Sequence, residues 1–328
     1  MKSLWNMLII LPLLLLVSCS YPFDMDMDDE PVIFLESFPG ADDVIAFDIR
    51  PAYSLSNSAA YQEFVPQIHL TINGKEVQVV LNKDNCVSDN HPQTSYIAQY
   101  SPSEGDELVV EVSSEGFRKI YAETVIPRSF PERKIDYRQD TFGDREANVL
   151  YLSPDNDPQS YFAYGFQILH EDVWLYDGKN EVSSRKYAAR QLSDDYDMAP
   201  GSVQGMIVDF NGDDMNVWKA GESKGYADTF PLLISYKGYE WEDPYDAFFV
   251  NADENGISRN RLLLYTMSEE FYRYLVAQKL VEDNAGFFAG LAPSNFCYTN
   301  VKGGYGAFAG VNCSQTEWIT PEFIENNR

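Results

Sequence analysis

Short runs in which apolar and polar residues alternate follow one another from residue 31 to residue 127. His69–Ile72 and Val77–Leu81 flank the dipeptide Asn73-Gly74. Asn-Gly between two such runs is a strong sequence signal for a β-hairpin, because both turn residues can adopt positive φ. The pattern therefore predicts two paired strands with a tight turn at residues 73–74.

A second pair of alternating runs lies further along the same region. Leu108–Val112 and Ile120–Ile126 have period two around a turn at residues 114–116. Pro127 ends the second run, since proline has no N–H to donate to a sheet. Roughly 95 residues of short strands without a helical pattern predict an immunoglobulin-like β-sandwich over residues 31–128.

The pattern changes after residue 129. Residues 130–157 are rich in proline and charge, and we place a domain boundary near residues 128–150. Strand patterns then resume, with Phe162, Tyr164, Phe166 and Ile168 on one face of a run that ends at His170. Further strands are predicted at Val203–Phe210, before a second Asn-Gly turn, and at Arg261–Tyr265.

One segment has a helical pattern. Ser268 is a favourable N-cap, and Glu269 and Glu270 follow it at the positive end of the helix dipole. An apolar stripe then continues to about residue 282, through Phe271, Tyr274, Leu275 and Val281. The sequence thus predicts an all-β fold, with an immunoglobulin-like sandwich and a larger β-rich domain at 129–328 that carries one helix near 268–282.

The N-terminus has the form of a bacterial lipoprotein signal. Leu8–Val17 is an apolar run too short to span a bilayer, which needs about 20 residues, but suited to a signal-peptide core. Leu16-Val17-Ser18-Cys19 matches a lipobox, in which the chain is cut before the cysteine and the thiol is acylated. We predict a signal peptide at 1–18 and lipidation of Cys19. The alternative is an ordinary secretory signal in which Cys19 is incidental.

Residues 19–30 follow as an acidic segment. Five acids lie among the seven residues from Asp24 to Glu30. They form a solvated tether, and they resemble the export signal that sends Bacteroidota lipoproteins to the outer face of the outer membrane. The resemblance is partial, because the acids begin five residues after Cys19. It implies an outer-membrane protein that is anchored by lipid and faces the cell exterior.

Composition narrows the function classes. The formal net charge is −27, from 51 acidic and 24 basic residues. Nucleic-acid binding needs a basic surface, so we exclude it. The same acidity repels anionic headgroups and leaves the acyl chains as the predicted membrane contact. The 22 tyrosines and 20 phenylalanines are typical of folded, β-rich chains.

Three cysteines remain after Cys19. Cys297 and Cys313 lie sixteen positions apart around a glycine-rich segment, and thiols of exported proteins tend to pair. We predict a disulfide between these two, with Cys86 free or masked. Because sequence does not fix connectivity, the unpaired state is the open alternative.

Three stretches of the chain resemble a known family. The first runs from Ser95-Tyr96 through Leu108–Val112 to Tyr121–Pro127, the second is Met267–Leu275, and the third joins Ser294-Asn295 to Asn300–Phe308. In this order they are similar to a family of Bacteroidota lipoproteins catalogued as domain of unknown function 4249. The chain departs from the family in a low-complexity insert near residues 193–197 and in lacking a Cys-Trp pair that some members have.

The family resemblance implies a cellular context for the protein, and it identifies no catalytic residue. Such lipoproteins are often encoded beside TonB-dependent outer-membrane transporters and their lid lipoproteins of the starch-utilisation type. The resemblance therefore implies an accessory of nutrient uptake that contacts the transporter, its lid lipoprotein, or a peptide or glycan cargo.

The sequence has few motifs for catalysis or cofactor binding. It has no H-E-x-x-H and no P-loop, and its G-x-S-x-G match at residues 221–225 lies in a chain whose pattern is all-β, whereas the nucleophile elbow belongs to α/β folds. Gly303–Gly306 superficially resembles a phosphate loop, but it lacks the following Lys-Ser/Thr and predicts a tight turn with close backbone packing. We therefore expect no enzyme activity and no cofactor. The alternatives are a surface hydrolase acting on peptides or glycans, and a structural envelope or adhesin component.

Two sets of residues remain as candidate sites. Asp209, Asn211 and Asp213 offer oxygen ligands of the kind calcium takes, although Asn/Asp-rich turns form for backbone reasons alone. Tyr298, Tyr305 and Phe308 lie in the glycine-rich segment and are candidate recognition residues, because loops at sandwich ends often carry binding residues. The alternative for these three rings is a small core packed beneath the segment.

Overall fold

The computed structural model describes part of the chain, and all structural statements below refer to that part. The described residues are 31–52, 64–82, 95–130, 136–142, 145–152, 159–176, 179–188, 206–210, 213–221, 230–236, 256–283 and 298–318. They form an all-β fold of eighteen strands with one helix. The predicted fold class is confirmed.

Two sheets pack face to face in the N-terminal half. The first has the order β17-β1-β2-β6-β5, with β1 at Val32–Ser37, β2 at Ile45–Ala52, β5 at Val79–Leu81, β6 at Tyr96–Ala98 and β17 at Tyr305–Phe308. The second has the order β4-β3-β7-β8, with β3 at Gln67–Ile72, β4 at Lys75–Val77, β7 at Glu107–Ser113 and β8 at Ile120–Val125. Their inner faces share one apolar core, which makes this half a β-sandwich.

Both predicted N-terminal hairpins are confirmed. β3 pairs with β4 across Asn73 and Gly74, whose φ angles are 52° and 74°. Both angles are positive, as the predicted two-residue turn requires. β7 pairs with β8 across the turn that contains Gly116.

A larger sheet follows in the C-terminal half. Its order is β13-β14-β11-β16-β18, and β12 also pairs with β11. The strands are β11 at Ala163–Tyr176, β12 at Lys179–Ala188, β13 at Met206–Phe210, β14 at Asp213–Lys219, β16 at Gly256–Met267 and β18 at Val311–Gln315. Residues 163–170 of β11 are buried on both faces, not only on the predicted aromatic face. The other face also packs a core, so no residue of this stretch faces solvent.

A third sheet lies in the region predicted as a boundary passage. β9 at Asp136–Phe142 and β10 at Arg145–Leu152 form a hairpin that pairs with β15 at Phe230–Tyr236. Because residues 130–157 are rich in proline and charge, the sequence pattern did not predict these strands. Their partner β15 is about 80 residues away, so the pairing that stabilises them leaves no local pattern.

The helix α1, Glu269–Asp283, confirms the predicted helix. The Ser268 hydroxyl accepts a hydrogen bond from the Phe271 N–H at 3.2 Å, as expected for an N-cap. Phe271 and Leu275 are fully buried. The ring of Phe271 lies 4.9 Å from that of Phe38 and 5.2 Å from that of Phe210, so the helix is held by the second core.

Each half of the chain contributes residues to the core of the other half. β17 pairs in parallel with β1, and Phe308 is fully buried in the sandwich core. In return, Phe38 and Ala41, which follow β1, belong to the core beneath the large sheet and α1. The predicted division near residues 128–150 stays a prediction, and residues from both sides of it build each core.

Candidate functional site

The glycine-rich segment, described here over residues 298–310, closes the open side of the sandwich. Lys302 exchanges two backbone hydrogen bonds with Tyr121 of β8, at 2.8 and 3.0 Å. Three residues later the chain joins the other sheet, where Tyr305 lies beside Phe34 of β1. Further on, the Gly310 N–H donates to the Thr124 hydroxyl at 2.7 Å. The segment therefore bridges both sheets of the sandwich.

Two glycines in this segment are required by close backbone contact. A Cβ on Gly306, whose φ is +105°, would lie 1.9 Å from the Leu35 carbonyl oxygen. A Cβ on Gly304 would lie 2.4 Å from the Ile33 carbonyl oxygen. Any side chain would push the segment off β1. The predicted tight turn with close backbone packing is confirmed.

The three predicted recognition residues have different surroundings. Phe308 is fully buried and stacks on Phe47 with ring centroids 6.3 Å apart. It cannot contact a partner, so this part of the prediction is wrong, because β17 is a sandwich strand and not a free loop. Tyr305 is 51% exposed, and Tyr298 is half-buried, where burial raises the pKa of its phenol. These two remain candidate recognition residues.

A small exposed patch surrounds Tyr305 at the start of β1. Phe34 is its neighbour on β1, and Arg50 of β2 lies opposite Phe34. The Arg50 guanidinium carbon is 4.8 Å from the centre of the Phe34 ring, a cation–π contact. We call Phe34, Arg50 and Tyr305 the β1 patch.

Two carboxylates that sequence analysis did not single out lie together beneath α1. Glu36 of β1 is directly opposite Asp48 of β2. The Tyr274 hydroxyl of α1 donates to Glu36 at 2.7 Å, and Arg50 pairs with Asp48 at 2.9 Å. The residues come from three elements, so no sequence spacing could have revealed the pair.

Burial controls the protonation of this carboxylate pair. It raises the pKa of the Glu36 carboxyl, opposed by the Tyr274 hydrogen bond and assisted by the Asp48 charge. It also raises the pKa of Asp48, against the pull of Arg50. Because each carboxylate has a partner within the fold, the arrangement is suited to joining helix and sheet.

A cleft of about 410 Å³ opens over one face of the large sheet. Its apolar lining consists of Ala41, Leu169 and Leu263, with Tyr265 beside them. Its polar lining consists of Asp42, Glu171, Ser184, Lys186, Asp213, Cys313 and Gln315. The volume lies in the range of small-molecule sites, which are usually pre-formed concave pockets with a few polar groups.

One buried glutamine holds Tyr265, a residue of the cleft lining, in place. Gln167 has no exposed surface, and its side-chain oxygen accepts a hydrogen bond from the Tyr265 hydroxyl at 2.9 Å. Its side-chain nitrogen donates to the Asp213 and Asp214 carbonyl oxygens at 3.4 and 3.2 Å. Gln167 thus ties β16 to the start of β14 across β11. Gln167 and Tyr265 are 98 positions apart, and the sequence carries no signal of their contact.

The Cys313 side chain lines the same cleft. Burial raises its pKa to about 11, so little thiolate forms near neutral pH. Its predicted disulfide partner Cys297 lies outside the described residues, as does Cys86. The pairing of Cys297 with Cys313 stays a prediction.

The remaining predicted site residues are only partly placed. Asp213 lines the cleft, Asp209 lies on β13, and Asn211 falls outside the described residues. In the part of the chain that the structure describes, no three His, Cys, Asp or Glu side chains converge as metal ligands. Cys19 and the acidic tether also lie outside the described ranges. No helix within these ranges has the length and apolarity needed to cross a membrane.

Comparison with known proteins gives one match. A family model described as "Domain of unknown function (DUF4249)" matches residues 20–317, nearly the whole chain. No curated protein and no solved structure matches the chain. The matched range includes the sandwich, α1, the cleft and the glycine-rich segment.

Proposed function

The chain belongs to the DUF4249 family, and from this membership and its N-terminal sequence we propose that it is a surface-exposed outer-membrane lipoprotein. It acts as a non-catalytic binding subunit of a TonB-dependent uptake system. Its partners are the transporter and the lid lipoprotein, and a peptide or glycan cargo is part of the same proposal. The acyl chains on Cys19 are its membrane contact.

The observation that carries this proposal is the position of the lipobox cysteine relative to the first strand. Ser20–Pro31 is a tether of twelve residues between Cys19 and β1. Fully extended, a tether of this length spans about 40 Å, so the folded body stays close to the membrane surface. A transporter embedded in that membrane is then within reach.

The β1 patch is the contact surface that this geometry favours. β1 starts where the tether ends, so Phe34, Arg50 and Tyr305 lie at the anchored end of the body. Tyrosine and arginine are enriched where interfaces bind tightly, because each combines a large contact area with polar groups. We propose that this patch faces the transporter.

Membrane fractionation tests the anchor. Cys19→Ala should release the protein from membranes or leave it unprocessed, whereas the wild type should resist a carbonate wash. Protease added to intact cells should digest the wild type if it faces the exterior. A Cys19→Ala protein that stays in the washed membranes would contradict the anchor, and a protected wild type would contradict surface exposure.

Co-purification from the native membrane tests the partner. The wild type should carry a TonB-dependent transporter with it, and Tyr305→Ala should weaken that association while the protein stays folded. Leu81→Ala is a matched control, since Leu81 is equally exposed at the opposite edge of the same sheet. Loss of the transporter in both variants, or in neither, would contradict the assignment of the β1 patch.

A further inference from the structure

We propose that one end of the β-sandwich rests on the phosphate-bearing headgroups of the membrane that holds the lipid anchor. Apolar and cationic side chains are accessible together at this end, and we call Val65, Phe117, Arg118, Lys119 and Lys302 the tip. The contact is additional to the acyl chains. It rests on the anchor of the proposed function, and it does not depend on the transporter partner.

The tip lies at the end of the sandwich from which the tether leaves. Ile68 of β3, Val112 of β7 and Ile120 of β8 lie side by side in one sheet, next to the turn between β7 and β8. Gly304 joins this level to the other sheet, because a Cβ on it would lie 2.4 Å from the Ile33 carbonyl oxygen and 2.7 Å from the Ile120 side chain. β1 begins one residue before Ile33, so the tether and the tip share one end of the sandwich.

The apolar part of the tip is formed by the residues before β3 and by the turn between β7 and β8. Val65 precedes β3 and is 63% exposed. Phe117 in the turn is half-buried, and its ring centroid lies 5.1 Å from that of Phe64, which places the two segments together. Accessible apolar side chains at the end of a folded body gain free energy at the boundary between headgroups and acyl chains.

The cationic part of the tip is formed by three exposed side chains. Arg118 and Lys119 follow the turn between β7 and β8. Lys302 lies beside them, because a Cβ on the next residue, Gly303, would be 2.7 Å from the Lys119 carbonyl oxygen. The side chains of Lys119 and Lys302 are 57% and 72% exposed. Glu115 is the one acid of the same turn, so the described residues of the tip carry an excess of positive charge.

Ion pairs within the protein leave these lysines able to reach a surface. Lys119 pairs with Glu111 at 2.5 Å and Lys302 with Glu123 at 3.7 Å, and all four side chains are at least 40% exposed. The Lys302 ammonium also lies 5.0 Å from the centre of the Tyr121 ring. Exposed ion pairs contribute little to stability. The ammonium groups can therefore exchange a carboxylate for a lipid phosphate at little cost.

The negative net charge of the chain leaves this contact favourable. At physiological ionic strength charges act over about 8 Å, so acids of the body further than this from the membrane are screened. The acids of the tether stay near the membrane whether or not the tip touches it, because the acylated Cys19 holds them in both states. Only the tip cations gain an interaction when the body docks, and only such a difference shifts the equilibrium.

The anchor makes a weak contact sufficient. The tether keeps the body within about 40 Å of the surface, so docking of the tip is an intramolecular step with a high effective concentration. A few cations and an exposed apolar residue can then hold the body in one orientation, although they would not recruit a free protein to the membrane.

Tryptophan quenching in vesicles tests the proposal. The full-length acylated protein is reconstituted into vesicles of phosphatidylglycerol and of phosphatidylcholine brominated on its acyl chains, and flotation establishes that it is anchored. Val65→Trp reports on the tip. Val125→Trp is the matched control, because Val125 is 50% exposed and lies at the opposite end of the sandwich. The emission that each variant adds to that of the wild type should be quenched for Val65→Trp only.

Charge variants in the Val65→Trp protein test the headgroup contact. Lys119→Gln and Lys302→Gln should each lower the ratio of quenched to unquenched emission about fivefold, as expected for one cation near an anionic surface. Lys75→Gln is the control, since Lys75 is exposed at the opposite end of the sandwich. Quenching should also fall when phosphatidylglycerol is left out or ionic strength is raised. Circular dichroism checks that each variant is folded.

Three results would overturn the proposal. These are an anchored Val65→Trp protein whose added emission is not quenched, equal quenching of Val65→Trp and Val125→Trp, and equal weakening by Lys75→Gln and the two tip variants. The first is also the result expected if the tip binds a protein instead of lipid. A chain that does not float contradicts the anchor, and with it both the proposed function and this contact, whereas transporter association is measured separately with Tyr305→Ala.

Discussion

At the residue scale, buried ionisable groups at interfaces between elements give this protein its most specific chemistry. Glu36 and Asp48 lie on neighbouring strands, and Tyr274 reaches Glu36 from α1. Cys313 is a half-buried thiol that lines the cleft. In both places burial disfavours the charged form, so protonation is linked to folding.

Glu36→Gln should make stability less dependent on pH. Burial raises the pKa of Glu36 in the folded protein above its ordinary value, so the folded state binds the extra proton in that window and stability falls as pH rises through it. Glutamine carries no charge and can still accept the Tyr274 hydrogen bond. We therefore expect a higher free energy of unfolding for the variant at pH 7, and a gain that vanishes near pH 4.

Urea denaturation across this pH range measures the difference. Glu115→Gln, at an exposed turn, is the control. The charged groups that face Glu36 are Asp48 and Arg50 on β2, and Tyr274 faces it from α1. A variant less stable than the wild type at pH 7 would contradict the expected sign.

Cys313 should be unreactive in the native protein at pH 8. Its pKa of about 11 leaves little thiolate for alkylation at this pH. Mass spectrometry after iodoacetamide treatment should find Cys313 unmodified in the native state and modified in urea. Modification only after reduction in urea would instead demonstrate the predicted disulfide, and rapid labelling of the native protein would contradict the raised pKa.

At the element scale, two segments hold the halves together, α1 and the glycine-rich segment that contains β17. α1 packs Phe271 and Leu275 on the second core. β17 lies against β1 so closely that glycine is required at Gly304 and Gly306. Neither segment is a surface appendage.

Leu275→Ala should reduce the free energy of unfolding by about 2–5 kcal/mol, because it leaves a cavity in a packed core. A helix of this length is marginal by itself, so the buried stripe supplies its stability. Leu280→Ala is the control on the same helix, since Leu280 is 41% exposed. Urea denaturation measures both, and a loss below about 1 kcal/mol for Leu275→Ala would make the helix peripheral.

Gly306→Ala should destabilise the protein more than Gly105→Ala. Both glycines have positive φ, which costs an L residue about 1–2 kcal/mol, but only Gly306 has a backbone oxygen in the place of a Cβ. We expect a further loss of about 1–3 kcal/mol at Gly306, as for other overpacked sites. Equal losses by thermal and urea denaturation would show that β17 can move off β1 freely.

At the scale of the whole molecule, the exchange of residues between the cores links both halves of the chain. Phe308 fills the sandwich core from near the C-terminus, and Phe38 fills the second core from near the N-terminus. Complete burial of an aromatic ring contributes about 3–5 kcal/mol, which is a large share of the free energy of unfolding of a typical domain. We therefore expect the halves to fold together.

A fragment of residues 31–130 should lack a cooperative unfolding transition. The fragment retains the strands of both sandwich sheets except β17. It therefore lacks Phe308, whose ring stacks on Phe47. Differential scanning calorimetry and near-UV circular dichroism of the fragment, compared with the full chain, provide the measurement. A sharp transition in the fragment would show that the sandwich is an independent domain.

The local pattern of the sequence determined the fold class, the two N-terminal hairpins, α1 and its N-cap. Each depends on residues within a few positions of one another, such as Asn73-Gly74 or Ser268 with Phe271. The lipobox, the acidic tether and the family resemblance are sequence properties as well, and the match over residues 20–317 confirms the family.

Only the tertiary structure decided how distant segments meet. It placed Phe308 in the sandwich core, revealed the β9–β10 hairpin with its partner β15, and joined Glu36 to Tyr274. It also brought Asp42, Glu171 and Asp213 around one cleft. These contacts join residues separated by tens to hundreds of positions. Local periodicity indicates which face of a strand or helix is apolar. Which other element packs against that face depends on packing over the whole chain.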